Sequence, residues 1–431
     1  MNDLPRRLGL REAIALVAGT IIGSGIFLAP NLVAKQVPSA SAMLAVWVFS
    51  GLLSLCGALV YAELGAMLPS SGGQYTYLRE AFGPLAAFLC GWTYFLVIMT
   101  AAIAWLGTAF SIYLSTFLPL SATAQKAVAV VCILALTAVN YRGVQFGAAV
   151  QDVLALIKTA GILLLIGAAL LSPVNQWSAG GGGGEIGLSQ FGQAMVACLL
   201  TYDGWIALSL VAGEVKDPKR NLPLGLIGGL AVCIALYVLA NVAYLKLLTV
   251  EQVAGSQRVA AEALTVALGG SAGKAIALLI LLSIAGSVNG WLLSAPRVYF
   301  AQAQDGLFFR QFAEVHPRYL TPGFSILAQG VWASMLCLTG TYDTLGSFAM
   351  FAAWLFYGAT AIGAMVLRKK RPDLPRPYRM PAYPLLPLVF TIVALVFVGN
   401  LFATDPGPAF SGTAIIAAGV PAYWIGKRFT R

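Results

Sequence analysis

Long runs of apolar residues alternate with short polar segments along the whole chain. Most runs contain about 20 residues or more, the length that an α-helix needs to cross the hydrocarbon core of a bilayer. The third and eighth runs are longer, which is typical of helices that are tilted or that extend beyond the lipid. The pattern predicts twelve membrane-spanning helices, at residues 11–35, 41–67, 83–118, 124–140, 147–172, 190–212, 223–248, 272–302, 324–339, 343–367, 384–403 and 410–427.

The first apolar run contains a Gly-Ser-Gly sequence at its centre. Residues 18–28 read AGTIIGSGIFL, and Gly23 and Gly25 are poor helix formers. One interpretation is a helix broken in mid-membrane, whose free backbone N–H groups bind a carboxylate. The other is a face of small residues that packs closely against a neighbouring helix. This run by itself leaves both interpretations open.

The order of the runs indicates an internal repeat. Runs one to five (residues 11–172) and six to ten (residues 190–367) contain the same odd number of crossings, so the second half would be inverted relative to the first. The sixth run, which corresponds to the first, is also interrupted, near Asp203. Matched interruptions of this kind point to a transporter binding site. We expect a single transmembrane domain over residues 1–431, with two further helices (residues 384–427) after the repeat.

Composition excludes other classes of protein. Hydrophobic residues make up 59% of the 431 residues and charged residues 10%, against roughly 25% charged residues in soluble domains, so we expect an integral membrane protein. The net charge of +10 does not indicate nucleic-acid binding, because no soluble domain is left to carry it. A single histidine and six cysteines without a CxxC pair predict no metal site and no cofactor, and no catalytic motif is present.

The cationic residues orient the chain in the bilayer. If the N-terminus is cytoplasmic, most Lys and Arg residues outside the spans fall on the cytoplasmic side, in agreement with the positive-inside rule. The C-terminus is then cytoplasmic as well. The external cations are Lys35, Lys126, Lys246, Arg258 and Lys274.

Two ionisable residues lie deep in the predicted spans. Lys158 stands in the middle of the fifth span, where a buried lysine must meet a carboxylate, carbonyl groups or water. We interpret it as a cation that holds the broken backbone of the first span. Asp203 allows three roles: contact with a substrate ammonium group, capping of the interrupted sixth span, or a direct pair with Lys158. Trp205 and Trp291, each beside a glycine, are either aromatic lids over a substrate or ordinary core residues.

Four motifs resemble the amino acid–polyamine–organocation transporters, and most closely the bacterial relatives of the L-type amino acid transporters. They are GTIIGSGIFLAP in the first span, PSSGGQYTYLREAFGP (residues 69–84), YDGW followed by GEVKDPKRNLP (residues 213–223), and RVYFAQAQDGLF (residues 297–308). The resemblance implies the five-plus-five inverted repeat of the leucine-transporter-like fold with two extra C-terminal helices. It also implies that helices 1 and 6 are broken at mid-membrane and that access alternates around a central site.

The resemblance further implies roles for individual residues. Ser24 and Gly25 would offer N–H groups to a substrate carboxylate. The carbonyl group of Ile21, with carbonyl groups around residues 200–203, would accept from the substrate ammonium group, and Lys158 would stand in for a sodium ion in transport coupling. The candidate substrate-binding residues are Ile21, Gly23, Ser24, Gly25, Leu200, Thr201, Tyr202, Asp203, Gly204, Trp205 and Trp291.

The implied function is sodium-independent exchange of neutral L-amino acids across a bacterial inner membrane. The alternative is a proton-coupled transporter of amino acids or polyamines, with Asp203 or Glu63 as the proton carrier. Ile206 and Leu200 stand where proton-coupled arginine–agmatine antiporters have a glutamate and a stacking tryptophan, which disfavours that scheme. The loop between the third and fourth spans has no counterpart of the cysteine that binds a heavy chain in animal L-type proteins. We therefore expect no heavy-chain partner, and a monomer or homo-oligomer in the lipid bilayer.

Overall fold

The computed structural model describes residues 4–177, 186–269 and 272–429, and this part of the chain is almost entirely helical. Extended backbone pairs within it only in an isolated parallel bridge between Leu8 and Val215. The α-helices of the described residues are α1 Leu10–Ile21, α2 Gly25–Gln36, α3 Ala40–Met67, α4 Gln74–Phe82, α5 Pro84–Thr93, α6 Met99–Leu114, α7 Ala122–Tyr141, α8 Val144–Leu171, α9 Leu188–Thr201, α10 Ala207–Leu210, α11 Pro218–Leu247, α12 Val250–Gly255, α13 Val259–Leu268, α14 Ala272–Ser294, α15 Pro296–Gln304, α16 Gly323–Thr339, α17 Tyr342–Lys370, α18 Leu385–Thr404 and α19 Pro406–Phe429.

Each predicted span coincides with one helix or with consecutive helices. The first corresponds to α1 and α2, the third to α5 and α6 joined by a π-helical turn, the sixth to α9 and α10, and the eighth to α14 and α15. Within the described ranges, nine segments are long and apolar enough to cross a membrane, and the bent pair α1–α2 makes ten. The helices α9 and α16 are shorter, with 14 and 17 residues. The prediction of an all-α, multi-pass membrane protein is confirmed, whereas the number twelve and the inverted repeat stay predictions.

The outer surface of the bundle is apolar. Leu156 of α8 is 70% exposed and Val396 of α18 is 67% exposed, and many other large apolar side chains share this outward position. Soluble monomers rarely expose large continuous apolar patches, so such a surface is suited to contact with lipid. The lipid bilayer is therefore the environment in which this fold is stable.

The helix α1 lies inside the bundle, where it packs against α8, α11 and α14, while α2 packs against α9 and α12. Ile21, Ile22 and Ile26, which flank the Gly-Ser-Gly sequence, are buried. The surrounding helices thus bring polar side chains from distant parts of the sequence to the residues between α1 and α2.

Three short helices occupy segments that the twelve-span pattern leaves as connections. They are α4, between the second and third spans, and α12 and α13, between the seventh and eighth. The helix α12 starts with a capping box, in which Gln252 N–H donates to Thr249 Oγ1 at 3.2 Å and Thr249 N–H donates to Gln252 Oε1 at 2.8 Å. A search for long apolar runs misses such helices, because they are too short to span a bilayer.

Candidate functional site

The first predicted span is interrupted at its Gly-Ser-Gly sequence. The helix α1 ends at Ile21, α2 begins at Gly25, and the two axes are bent by 45°. Ile22 has an extended backbone, with φ −69° and ψ 91°. Backbone carbonyl groups at the end of a helix lack regular intrahelical partners and must find others. In this chain, side chains of three other helices supply them.

Lys158 of α8 binds the end of α1. Its side chain is fully buried, and Nζ donates to the carbonyl oxygens of Gly19 at 2.6 Å, Ile22 at 2.5 Å and Ser283 at 3.1 Å. An ammonium group has three donors, so these contacts satisfy all of them. Lys158 therefore joins α1, α8 and α14 at the point where α1 ends, and its role in transport stays a prediction.

Two serines of α14 bind the same backbone. Ser283 Oγ lies 2.9 Å from the carbonyl oxygen of Ile22 and 3.1 Å from that of Gly23, and Ser287 Oγ lies 3.4 Å from the carbonyl oxygen of Ile22. Sequence reasoning missed both serines. The signal that was available is their spacing of four residues in the middle of an apolar helix, which places both on one face.

The sixth predicted span is interrupted as well. The helix α9 ends at Thr201, and α10 begins at Ala207 after a turn. Within this turn Gly204 has a φ of +121°, a backbone conformation that favours glycine. Tyr202 N–H, just after α9, still makes a helical hydrogen bond to the carbonyl oxygen of Cys198 at 2.9 Å, whereas Asp203 N–H donates to that of Leu200 at 3.4 Å, in a tighter turn.

The two interrupted segments touch each other. A β-carbon built on Gly204 would lie 3.0 Å from the carbonyl carbon of Thr20 and 3.1 Å from the nitrogen of Ile21. A β-carbon on Gly25 would lie 2.6 Å from Cγ2 of Thr201. The candidate residues Ile21, Gly25, Thr201 and Gly204 are therefore brought together, although they come from two distant parts of the chain.

Tyr237 of α11 links both segments through one hydroxyl group. This hydroxyl lies 3.0 Å from the carbonyl oxygen of Ile21 and 3.5 Å from that of Thr201, and the side chain is fully buried. Its ring packs against Tyr202 and Trp47, with centroid distances of 5.0 and 5.7 Å. Sequence reasoning missed Tyr237, because nothing local marks it among the other apolar residues of the seventh span.

Asp203 faces α17 and not Lys158. Its Oδ1 accepts a hydrogen bond from the hydroxyl group of Tyr357 at 3.0 Å. All three donors of Lys158 are used by carbonyl oxygens, and no ion pair joins Lys158 to Asp203. The direct pair, one of the three roles considered for Asp203, is therefore not formed. The bond to Tyr357 fixes the turn after α9, and contact with a substrate ammonium group stays a prediction.

The candidate aromatic residues are packed in the core. Trp205 is buried against Tyr61, Tyr357 and Phe390, at centroid distances of 5.0, 5.6 and 6.1 Å. Trp291 is also buried. The preceding residue, Gly290, packs closely against α1, since a β-carbon there would clash with Thr20 Oγ1. Ordinary packing accounts for both side chains, and a role as a lid stays a prediction.

A buried ion pair secures the chain after α10. Arg297 Nε donates to Glu214 Oε1 at 2.6 Å, Arg297 Nη2 lies 3.3 Å from Oε2, and the two side chains are 1% and 0% exposed. The backbone carbonyl oxygen of Glu214 accepts from the N–H groups of Arg7 and Leu8, at 2.8 and 2.9 Å. The N-terminal arm, the segment after the second break and α15 are thus held together.

The fold and this site define a class: a multi-pass membrane protein in which interrupted helices gather backbone polar groups inside the bundle. The model of the amino acid permease family matches residues 8–425, and the chain belongs to that family, within the amino acid–polyamine–organocation superfamily. The prediction made from the four motifs is confirmed. The protein is a permease and not an enzyme.

Characterised relatives are similar over most of their length. The serine/threonine exchanger SteT of Bacillus subtilis (strain 168) is 32% identical over 433 residues, which cover 98% of this chain and 97% of that protein. The b(0,+)-type amino acid transporter 1 of Homo sapiens is 32% identical, over 92% of this chain and 82% of that protein. The large neutral amino acids transporter small subunit 2 of Homo sapiens is 34% identical, over 98% of this chain and 81% of that protein.

Proposed function

We propose that the protein is a sodium-independent exchanger of neutral L-amino acids. The observation that supports this most strongly is the set of three carbonyl contacts made by Lys158. In transporters with interrupted helices, carbonyl groups of this kind coordinate the Na⁺ or H⁺ that drives transport. In this chain a fixed ammonium group already satisfies them, so no transported cation is needed at that position.

The charges around the breaks favour a substrate with a neutral side chain. All three donors of Lys158 are used by carbonyl oxygens, so its charge is not available to an anionic substrate side chain. Asp203 accepts a hydrogen bond from Tyr357, a neutral residue. Backbone N–H groups at Ser24 and Gly25, and carbonyl groups near residues 200–203, would hold the carboxylate and ammonium groups of a zwitterion. The relatives named as an exchanger of serine and threonine and as a transporter of large neutral amino acids support the same class of substrate.

The arrangement proposed for the chain in the membrane follows the sequence pattern. Twelve spans would form one domain, with inverted five-helix repeats at residues 11–172 and 190–367 and two extra helices at 384–427. The substrate site at the two breaks would open alternately to the two sides of the membrane. The distribution of Lys and Arg residues supports a cytoplasmic location of both termini, in a bacterial inner membrane and without a heavy-chain partner.

Exchange in reconstituted liposomes tests this function. Vesicles that contain the purified protein and unlabelled serine or leucine are supplied with the labelled amino acid, in sodium and in choline buffers. Equal uptake in both buffers is expected, and none without internal substrate. Lys158→Ala should lower exchange roughly tenfold or more, since each 1.4 kcal/mol of lost interaction free energy is a factor of ten.

A second lysine provides the matched control for Lys158. Lys246 Nζ also donates to three carbonyl oxygens, those of Ala169, Leu170 and Ser172, but it does so at the end of α8, away from the breaks. Lys246→Ala should retain exchange. A requirement for sodium, or equal exchange by the wild type and Lys158→Ala, would contradict the proposal.

The proton-coupled alternative predicts a different result in the same vesicles. It requires uptake driven by a pH gradient in the absence of internal substrate. Glu63, one candidate proton carrier, accepts from Arg368 at 2.8 and 2.5 Å and from the N–H group of Met380 at 2.8 Å. Glu63 is thus held in place by an arginine side chain and a backbone N–H group, in a fixed contact with the segment after α17.

A further inference from the structure

A cavity of about 310 Å³ opens at one end of the bundle, between α2, α6, α13 and α14. Its volume lies in the range typical of small-molecule sites. Apolar side chains form much of its wall, among them Phe27, Ala261 and Ile280, whereas Arg258 and Lys274 add two cationic groups. The cavity therefore combines an apolar surface with positive charge.

The wall of this cavity reaches the first helix break. Phe27 is the third residue of α2, and its N–H group donates to the carbonyl oxygen of Ser24 at 3.1 Å. Ile280 lies one helical turn before Ser283, whose hydroxyl group binds the carbonyl oxygen of Gly23. Both side chains are buried. A molecule in the cavity would thus lie beside α2, which follows the first break, and α14, which binds it.

The two cations of the cavity differ from other cations on the same side of the protein. The amino groups of Lys126 and Lys246 donate hydrogen bonds to backbone carbonyl oxygens. Lys126 Nζ, for example, lies 2.6 Å from the carbonyl oxygen of Leu338. Arg258 and Lys274 are exposed, and neither forms an ion pair with any described residue. Their charge is available to an anion that enters the cavity.

We propose that this cavity is an external subsite for the carboxylate group of amino acids that have apolar side chains, occupied before the substrate reaches the breaks. Arg258 and Lys274 would bind the carboxylate group, since hydrogen bonds between a cationic side chain and a carboxylate are stronger than those between neutral groups. The substrate side chain would contact the apolar wall at Ala261 and at the edges of Phe27 and Ile280. The inference rests on the proposed function, because it takes the transported solute to be an amino acid and the cavity to face outward.

The double variant Arg258→Gln/Lys274→Gln tests the subsite in the exchange assay, with protein of one orientation in the vesicles. The apparent KM for external leucine should rise roughly three- to tenfold, which corresponds to about 0.7–1.4 kcal/mol of lost binding free energy. The KM for internal leucine should not change. Wild-type external KM should rise with ionic strength because salt screens exposed charges, and the double variant should lose most of this dependence.

Lys35→Gln is the matched control, because Lys35 is an exposed cation of α2 that does not line the cavity. It should leave both KM values unchanged. An equal rise of KM in Lys35→Gln would show a general surface potential, and an unchanged KM in the double variant would exclude the subsite.

A binding measurement separates failure of the subsite from failure of the proposed function. Leucine and leucinol, which lacks the carboxylate group, are titrated into the detergent-solubilised protein. Weaker binding of leucine alone in the double variant supports the subsite even if the wild type performs no exchange. Equal weakening of both ligands, or of neither, overturns it.

Discussion

Gly25 and Thr201 lie in direct contact across the two helix breaks. A β-carbon on Gly25 would lie 2.6 Å from Cγ2 and 2.7 Å from Oγ1 of Thr201. Thr201 Oγ1 also donates to the carbonyl oxygen of Ala197 at 2.8 Å, which holds its side chain in this position. The absence of a side chain at position 25 is therefore what allows the two interrupted segments to meet.

Gly25→Ala should separate these segments. We expect a loss of most exchange activity and a decrease in the free energy of unfolding of about 1–3 kcal/mol, the usual cost of overpacking. The measurements are exchange in liposomes and the thermal unfolding midpoint in detergent. Gly167→Ala is the control, since a β-carbon at Gly167 of α8 meets no atom within 4 Å. Thr201→Ala added to Gly25→Ala should restore part of the activity, and no recovery would argue against the contact.

Tyr237→Phe removes a hydroxyl group that contacts both breaks and keeps the ring. We expect exchange to fall several-fold, because the carbonyl groups of Ile21 and Thr201 lose a shared donor. The free energy of unfolding should decrease by about 1 kcal/mol, the usual net value of a hydrogen bond.

Tyr299→Phe is the matched control for this change. It also removes a buried hydroxyl group, which donates to the carbonyl oxygen of Tyr94 at 3.3 Å, far along the chain from either break. It should reduce stability by a similar amount and leave the KM of exchange unchanged. If the two variants transport equally well, the hydroxyl group of Tyr237 has no special part in the site.

The helices could be predicted because a membrane imposes a length on them. Apolar runs such as residues 41–67 coincide with one helix, Ala40–Met67, and the interruption after Ile21 is marked by the glycines at positions 23 and 25. The short helices α12 and α13 escaped notice because neither has to span the bilayer. The start of α12 is set by its capping box, and the two helices are positioned by contacts of α12 with α2 and of α13 with α14.

The site could be predicted only in part, for a physical reason. Lys158 was recognisable because a charge in the middle of a membrane span is costly and needs partners. Tyr237 and Ser283 are compatible with an apolar helix, so they carry no such local signal. Their importance comes from distant contacts, with Ile21 and Ile22, that only the folded chain reveals.

Ser283→Ala and Ser287→Ala should differ in their effect. Ser283 Oγ lies 2.9 and 3.1 Å from the carbonyl oxygens of Ile22 and Gly23, whereas the contacts of Ser287 Oγ, with the carbonyl oxygens of Ile22 and Ser283, are both 3.4 Å long. We expect Ser283→Ala to lower exchange several-fold and Ser287→Ala to lower it less. Exchange rates of the two variants at equal protein content check this order, and the reverse order would contradict the geometry.

Breaking the buried pair Glu214–Arg297 should destabilise the protein more than breaking an exposed pair. Glu214→Gln leaves the buried guanidinium group of Arg297 without its counter-charge, so we expect the free energy of unfolding to fall by about 3–5 kcal/mol. Asp305→Asn is the control. It removes one of the two carboxylates beside Arg79, in a pair whose side chains are 35% and 27% exposed, and keeps an amide oxygen that can accept from Tyr75. We therefore expect a loss of about 1 kcal/mol or less.

A double variant separates the charge of this pair from its packing. Glu214→Leu/Arg297→Met replaces both ions by apolar groups, and a well-packed apolar pair is often as stable as a buried ion pair. Thermal unfolding midpoints in detergent should therefore rank the double variant above Glu214→Gln. Exchange by the double variant should still be impaired, because it lacks the hydrogen bonds by which Arg297 joins α15 to Glu214, in the segment after the second break. Equal midpoints for Glu214→Gln and Asp305→Asn would mean that water reaches Glu214.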